Sequence, residues 1–281
     1  MKRPVILGFV IASVCPALTV RAEPAPATES LAPERRSSFY VRGGAAVVKP
    51  IASSRELELA DVQGAASLAV ENGPIEGSGA RVSSAIIPAA TIGYVLPTAG
   101  RRWAAELVLG TPFTVTFEAT GTLANESIAP MAFGIPTGVG PLGSDLGEAQ
   151  AIPLVVTAVY QLIDHGAFRP FVGAGPSVLF TRDAKVTNAM LTAVHRPEMS
   201  IAPAPGLVLQ GGLEARLWKS VYARIDVKFI AFMLARAEVR HIEIATPGLA
   251  LFESVEVGTA KMNVWVNPLI VQAGIGFDFD L

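Results

Sequence analysis

The chain has 281 residues, 51% of them hydrophobic and only 16% charged, and its 22 basic and 24 acidic side chains leave a net charge of −2. That balance supplies no basic surface for a nucleic-acid partner, and past the N-terminus no stretch offers the ~20 uninterrupted apolar residues of a membrane helix. A soluble fold this apolar would need a very large core. A membrane barrel needs only an apolar outer belt, and the 26 Gly and 21 Pro that break up the apolar content suit its turns better than they suit helices.

The N-terminus reads as a processing segment. Lys2 and Arg3 precede an apolar run from Pro4 to Val14, and a small-residue end follows at Val20-Arg21-Ala22. This is the pattern of a secretory signal peptide over residues 1–22, and its apolar core is too short to span a bilayer. A lipid anchor on Cys15 is disfavoured by Val14, where a small residue is expected. Cleavage after Ala22 would remove the only Cys and any disulfide framework with it. Residues 23–37, rich in Pro and Ala, read as a flexible periplasmic lead-in, which leaves 38–281 as the folded body.

Period-two stretches of about ten residues mark eight strands. In chain order they are Phe39 to Lys49, Ser84 to Leu96, Trp103 to Phe117, Ala149 to Ile163, Arg169 to Thr181, Gly206 to Leu217, Val221 to Leu234 and Asn263 to Leu281. Their connections alternate long and short. Pro50 to Ser83, Glu118 to Glu148, Arg182 to Pro205 and Ala235 to Met262 are long; Pro97 to Arg102, Asp164 to Phe168 and Trp218 to Ser220 are short. Outer-membrane barrels have short periplasmic turns and long extracellular loops, so the expected fold is all-β. It is an eight-stranded antiparallel transmembrane β-barrel with both termini in the periplasm. Trp103, Phe277, Phe279 and Phe39 are expected near a periplasmic aromatic girdle.

Alternation assigns faces. In the seventh strand Val221, Ala223, Ile225, Val227 and Phe229 oppose Tyr222, Arg224, Asp226 and Lys228, so the polar set faces the lumen. The inferred lumen charges are Arg42, Glu106, Glu214, Arg216, Arg224, Asp226, Lys228, Asp278 and Asp280. All lie in the periplasmic half, with mixed signs that can pair, and are read as a polar plug. Inward positions of the outer half are Val48, Val108, Val155, Phe232, Leu234 and Ile270, read as an apolar chamber. The alternative is that they merely fill a small barrel. Pro removes a ladder donor. Pro112 and Pro153 fall in adjacent strands, so a lateral opening is expected between the third and fourth strands, with simple strand termination as the alternative. Pro88 and Pro268 lie in the outer parts of other strands.

Five segments resemble the OmpW family of outer-membrane barrels. They are Phe39 to Ala45 with Lys49-Pro50, Ala105-Glu106-Leu107 through Gly110-Thr111-Pro112-Phe113, Ile152-Pro153-Leu154, Phe168-Arg169-Pro170-Phe171-Val172-Gly173-Ala174-Gly175, and Asn267-Pro268 leading into Ala273 to Phe277. The resemblance implies an eight-stranded barrel with a narrow hydrophobic channel, and uptake of small hydrophobic molecules with sideways delivery into the membrane. The chain departs from the family in ending on Leu281 rather than an aromatic residue, and in its longer loops. The second loop is apolar, with Leu123, Ile128, Met131, Phe133, Ile135, Val139 and Leu142. Such a loop marks an interaction site or packs on its neighbours.

An enzyme reading is disfavoured. His165 falls in a turn, and His195 and His241 fall in long loops with Ser200, Glu198 and Glu243 nearby. No His is placed beside a lumen Ser, as a lipid-modifying barrel would require. No zinc-type cluster, phosphate loop or dinucleotide fingerprint is present in the sequence, so no cofactor or metal is implied. Expected partners are outer-membrane lipid, lipopolysaccharide, small hydrophobic solutes and the barrel-assembly machinery. A closed structural or adhesion barrel is the competing class.

Overall fold

A computed structural model describes residues 37–280, apart from positions 52, 98, 164, 250 and 251. The expected signal peptide, the lead-in up to residue 36 and the C-terminal Leu281 lie outside the described residues. Eleven strands build the wall: β1 Phe39–Pro50, β2 Ala85–Val95, β3 Trp103–Gly110, β4 Phe113–Gly121, β5 Asp145–Gln161, β6 Phe168–Val186, β7 Ala204–Trp218, β8 Val221–Ala231, β9 Leu234–Ala245, β10 Ser254–Trp265 and β11 Pro268–Phe279.

All pairings among them are antiparallel. The order β1-β2-β3-β5-β6-β7-β8-β11 returns to β1, so among the described residues eight strands close into a ring with no free edge. β4 prolongs the line of β3, β9 that of β8, and β10 leads into β11. No helix among the described residues is long and apolar enough to cross a membrane. The crossing is made by strands whose outward row is apolar. On β8, Ile225 is 52% exposed on the outside while Tyr222, Arg224, Asp226, Lys228 and Ile230 are buried inside.

The eight expected strands are all present, but the long connections are more ordered than loops. The segment expected as a loop from Ala235 to Met262 is mostly the β9–β10 hairpin. Glu58–Ala60 adds to β10, Ser78–Val82 to β4, and Glu198–Ile201 bridges β6 and β9. These additions raise the wall above the membrane belt at the loop end of the barrel. The other end carries the short turns, and there Phe39 stacks on Phe279 and tilts against Tyr94 on the outer surface, with Trp103 against Tyr160.

The alternation is broken at one point with a consequence. Inward residues are even-numbered along β8 through Ile230, whereas Met233, Ala235 and Ala237 are the buried ones above it. Phe232 sits between them at φ +61 and is 71% exposed. This left-handed residue interrupts the strand and flips the face that points inward. Phe232 and Leu234 therefore do not face the lumen as expected. Leu234 lies on the outer row, paired with Trp265.

Candidate functional site: a charged plug beneath an apolar chamber

At the turn end the lumen is filled by long polar side chains. Glu106 of β3 is the hub. It accepts hydrogen bonds from the Tyr40 hydroxyl (2.6 Å), from Arg224 Nη1 (2.6 Å) and Nη2 (3.0 Å), and from Gln210 Nε2 (2.9 Å). Arg224 Nε also donates to Asp226 Oδ2 at 2.8 Å, and Asp226 accepts from Lys228. Lys228 reaches on to Gln272 Oε1 at 3.0 Å. A second branch runs from Arg42, which donates to Glu214 (3.2 Å), Asp278 (2.5 Å) and the carbonyl of Phe277 (3.0 Å).

Arg169 approaches Asp278 at 4.0 Å, and its guanidinium lies 4.9 Å from the centre of the Tyr222 ring. Four cations (Arg42, Arg169, Arg224, Lys228) thus face four carboxylates (Glu106, Glu214, Asp226, Asp278), all buried. Charges taken out of water are tolerated only when paired and hydrogen-bonded, and this set is balanced in number and in contact. The other two expected plug residues are at its rim. Arg216 is half-buried, 5.9 Å from the Tyr222 ring, and Asp280 accepts from the Ser38 amide at 2.6 Å.

The expected plug names only charges and leaves out Arg169; Tyr40, Gln210 and Gln272 are its uncharged members, and all four fall on the inward parity of their strands. Room for these side chains comes from small neighbours, and the Tyr40 ring lies where a Cβ on Gly93 would stand, 2.0 Å from its nearest carbon.

Above Lys228 and Gln272 the lumen changes character. A cavity of about 90 Å³ is lined by Val48, Val108, Val155 and Ile270 from the expected set, and by Ile87, Ile230 and Met233. Smaller apolar cavities of about 70 and 30 Å³ follow it into the loop layer. Their lining moves up β9 from Ala237 to Ile244 and Thr246, and Phe117 stands in the walls of the lower two. Leu123, Ile128 and Leu142 of the apolar second loop face the middle cavity, and Val139 the top one. Met131, Phe133 and Ile135 of that loop are exposed on a short hairpin.

The wall of the chamber is interrupted, though not mainly where the prolines first suggest. Between β3–β4 and β5 the ladder skips Ile152 and Pro153 opposite Gly110, Thr111 and Pro112, at a one-residue slip between Leu154↔Leu109 and Ala151↔Phe113, and there is a further bulge at Leu146. The larger break is between β2 and β3–β4. Pairing ends at Ala89↔Gly110 and resumes in the same register at Val82↔Phe117, with Ser83 and Thr116 hydrogen-bonded. Residues 84–88 and 111–115 between those points are unpaired with each other. On their far sides residues 85–88 stay paired with β1 and residues 113–115 with β5, while Thr111 and Pro112 have ladder partners on neither side. Pro88 and Pro112 sit on the two lips, both exposed, and Phe113 packs across the opening against the cluster of Ala46, Val48, Ile87 and Ala89 and the chamber lining. The break thus pairs Pro112 with Pro88 rather than Pro153.

In the loop layer His195 Nδ1 lies 2.9 Å from Glu243, whose other oxygen accepts from Ser254. The carboxylate stands between hydroxyl and imidazole, so the imidazole is not placed to take the hydroxyl proton. The Ser254 hydroxyl and then His195 hold the Glu243 carboxyl below the usual carboxylate range.

Residues 35–279 match the sequence profile of the OmpW family. The chain belongs to the OmpW family. This OmpW-family barrel is similar to an uncharacterized outer-membrane protein, y4mB, of Sinorhizobium fredii (strain NBRC 101917 / NGR234), with 31% identity over 117 residues. That match spans 41% of each chain, so less than half of the relative's length is represented. Among solved structures it is similar to the outer membrane protein OprG from Pseudomonas aeruginosa, at 21% identity and a TM-score of 0.66, covering 88% of this chain and 97% of that one. A solid-state NMR structure of the outer membrane protein AlkL gives 17% identity and a TM-score of 0.49, over 93% and 98%. The family match places the chain among outer-membrane barrels, in contact with membrane lipid.

Proposed function

We propose that this OmpW-family barrel takes up small hydrophobic molecules passively, with its turn end and termini in the periplasm. Solute enters from the loop end, occupies the apolar chamber, and leaves sideways between β2 and β4 into the membrane. The observation that carries the reading is the junction of two features: a buried, charge-balanced plug blocks the axial route, and the wall just above it is unpaired at residues 84–88 and 111–115. An apolar solute gains nothing by crossing ion pairs, whereas lipid on the other side of the gap is as apolar as the chamber. The cavity volume of about 90 Å³ points to small cargo, since an apolar cavity of ~150 Å³ takes up benzene. Larger solutes require Phe113 or Phe117 to swing aside. Lipopolysaccharide around the loops and the barrel-assembly machinery are the partners this reading implies, and no catalytic step is assigned.

Uptake by intact cells tests it. Deletion of the protein is expected to slow entry of a small hydrocarbon, and Val108→Asp to slow it as much, because a charge in the chamber is costly to desolvate. A Pro88→Thr/Pro112→Thr double variant restores two ladder donors and is expected to reduce uptake while leaving the chamber intact. Unchanged uptake in the deletion strain would favour a closed structural barrel. Unchanged uptake in the proline variant alone would move the exit elsewhere.

A further inference from the structure

The plug is not equally well satisfied on all sides. Six of its side chains, each at least nine-tenths buried, carry polar atoms without a hydrogen-bond partner in the protein: Thr157 Oγ1, Gln161 Oε1 and Nε2, Arg169 Nε and Nη1, Ser177 Oγ, Gln210 Oε1 and Glu214 Oε2. All six belong to three consecutive strands, β5, β6 and β7. Among the described residues, β8, next in the ring, and β11 and β1 beyond it contribute no such atom; there the buried polar atoms of Arg42, Asp226, Lys228 and Gln272 each have a partner.

The unpartnered atoms are evenly spaced. Descending the inward positions of β6, the first is Ser177 itself, facing Gly206 and Val155 just below the chamber. Next is Gly175, beside Thr157, and then Gly173, paired with Gln210. Phe171 follows, paired with Gln161, and last comes Arg169, paired with Glu214 at the turn end. Every second residue of a strand advances about 6.6 Å, so consecutive unpartnered groups are one or two small bridging molecules apart. Buried polar groups left dry are costly and rare. A column that carries both donors and acceptors is matched by water, which offers both.

We propose that the β5–β7 side of the plug is a water-filled seam joining the aqueous turn end to the floor of the apolar chamber. It gives the chamber a drain: water leaves by the seam when apolar solute arrives and refills it when solute departs. The drain role rests on the proposed uptake, but the seam does not.

The test uses the full chain, folded in detergent micelles without cargo, in a Cys15→Ser background. Single variants Thr157→Cys and Ser177→Cys are compared with Thr91→Cys, a fully buried position on the satisfied side beside Gln272. The probe is the silver ion, small and carried by water, and folding of each variant is verified by its heat-modifiable gel mobility. Silver is expected to react at 157 and 177 at least about tenfold faster than at 91, which is reached only through local opening. Equal rates at the three sites would overturn the seam. A second measurement uses nearly isosteric changes, Thr157→Val and Ser177→Ala. Loss of water-bridged hydroxyls lowers the unfolding midpoint, whereas a rise in the midpoint would mean dry hydroxyls and no seam. Neither measurement involves uptake, so the seam can fail while the uptake reading stands, and the reverse.

Discussion

At the scale of single residues, the plug depends on a few side chains that each hold several partners. Glu106 is fully buried and binds three different donors, so removing its charge leaves Arg224 without its main counter-ion. Breaking one member of a buried pair typically costs roughly 3–5 kcal/mol. Glu106→Leu should therefore unfold at markedly lower urea than the parent barrel. Tyr40→Phe removes one bond to the same carboxylate, and such bonds to charged groups are worth about 1.5–3 kcal/mol. If Tyr40→Phe proved the more harmful of the two, Glu106 would not be the hub. Glycine provides a matched pair of controls. Gly93→Ala drives a methyl into the Tyr40 ring, while at Gly43 on the outer face nothing lies within 4 Å. Gly93→Ala is expected to destabilise strongly and Gly43→Ala hardly at all in the same urea titration.

At the scale of elements, the loop layer is held by cross-ties rather than by its own sequence. His195 reaches from the segment before Glu198–Ile201 to Glu243 on β9, and Ser254 joins the same carboxylate from β10. Because Glu243 titrates below its ordinary value, the tie is fully present above an unfolded carboxyl pKa of about 4.3 and is lost as pH falls through the lowered folded value. Amide exchange over residues 189–197, corrected for intrinsic rates, should lose protection across that acid window. Glu243→Gln should show weak protection at every pH. A wild-type profile as flat as the variant's would remove Glu243 as the tie.

At the scale of the whole molecule, the outer surface is an apolar belt ending in exposed aromatic rings at the turn end. Trp103 and Trp218 are 45% and 72% exposed there, as expected for side chains that sit at a membrane–water interface. In brominated lipid bilayers their fluorescence should be quenched more by bromines near the headgroups than by bromines near the chain ends. The opposite order would displace the belt along the barrel axis. The polar contents of the turn half and the apolar contents of the other half then lie within one membrane thickness, so the change of character inside the lumen occurs within the bilayer.

The strand count, the turn and loop ends, and the height of the plug were legible in the sequence because each is a local, period-two signal. Arg42, Glu106, Glu214, Arg224, Asp226, Lys228 and Asp278 could be placed from parity and strand direction alone. What failed is what parity cannot carry across a break. Parity carried past Phe232 points it inward, because nothing in its neighbours announces a positive φ; that left-handed residue reverses the faces from Met233 to Ala237, and a second at His241 restores them. The opening expected at Pro112 and Pro153 does coincide with a short interruption of the ladder, but proline marks a missing donor without showing that the wider break lies on the other side of β4. Only pairing on both sides of each strand shows that β2 and β4 part while staying bound to β1 and β5. Period-two alternation along each strand is enough to give a barrel with a charged half and an apolar half. The tertiary structure decided which side chains meet, where the wall is unpaired and which side of the plug lacks partners, because these depend on contacts between strands far apart in the chain.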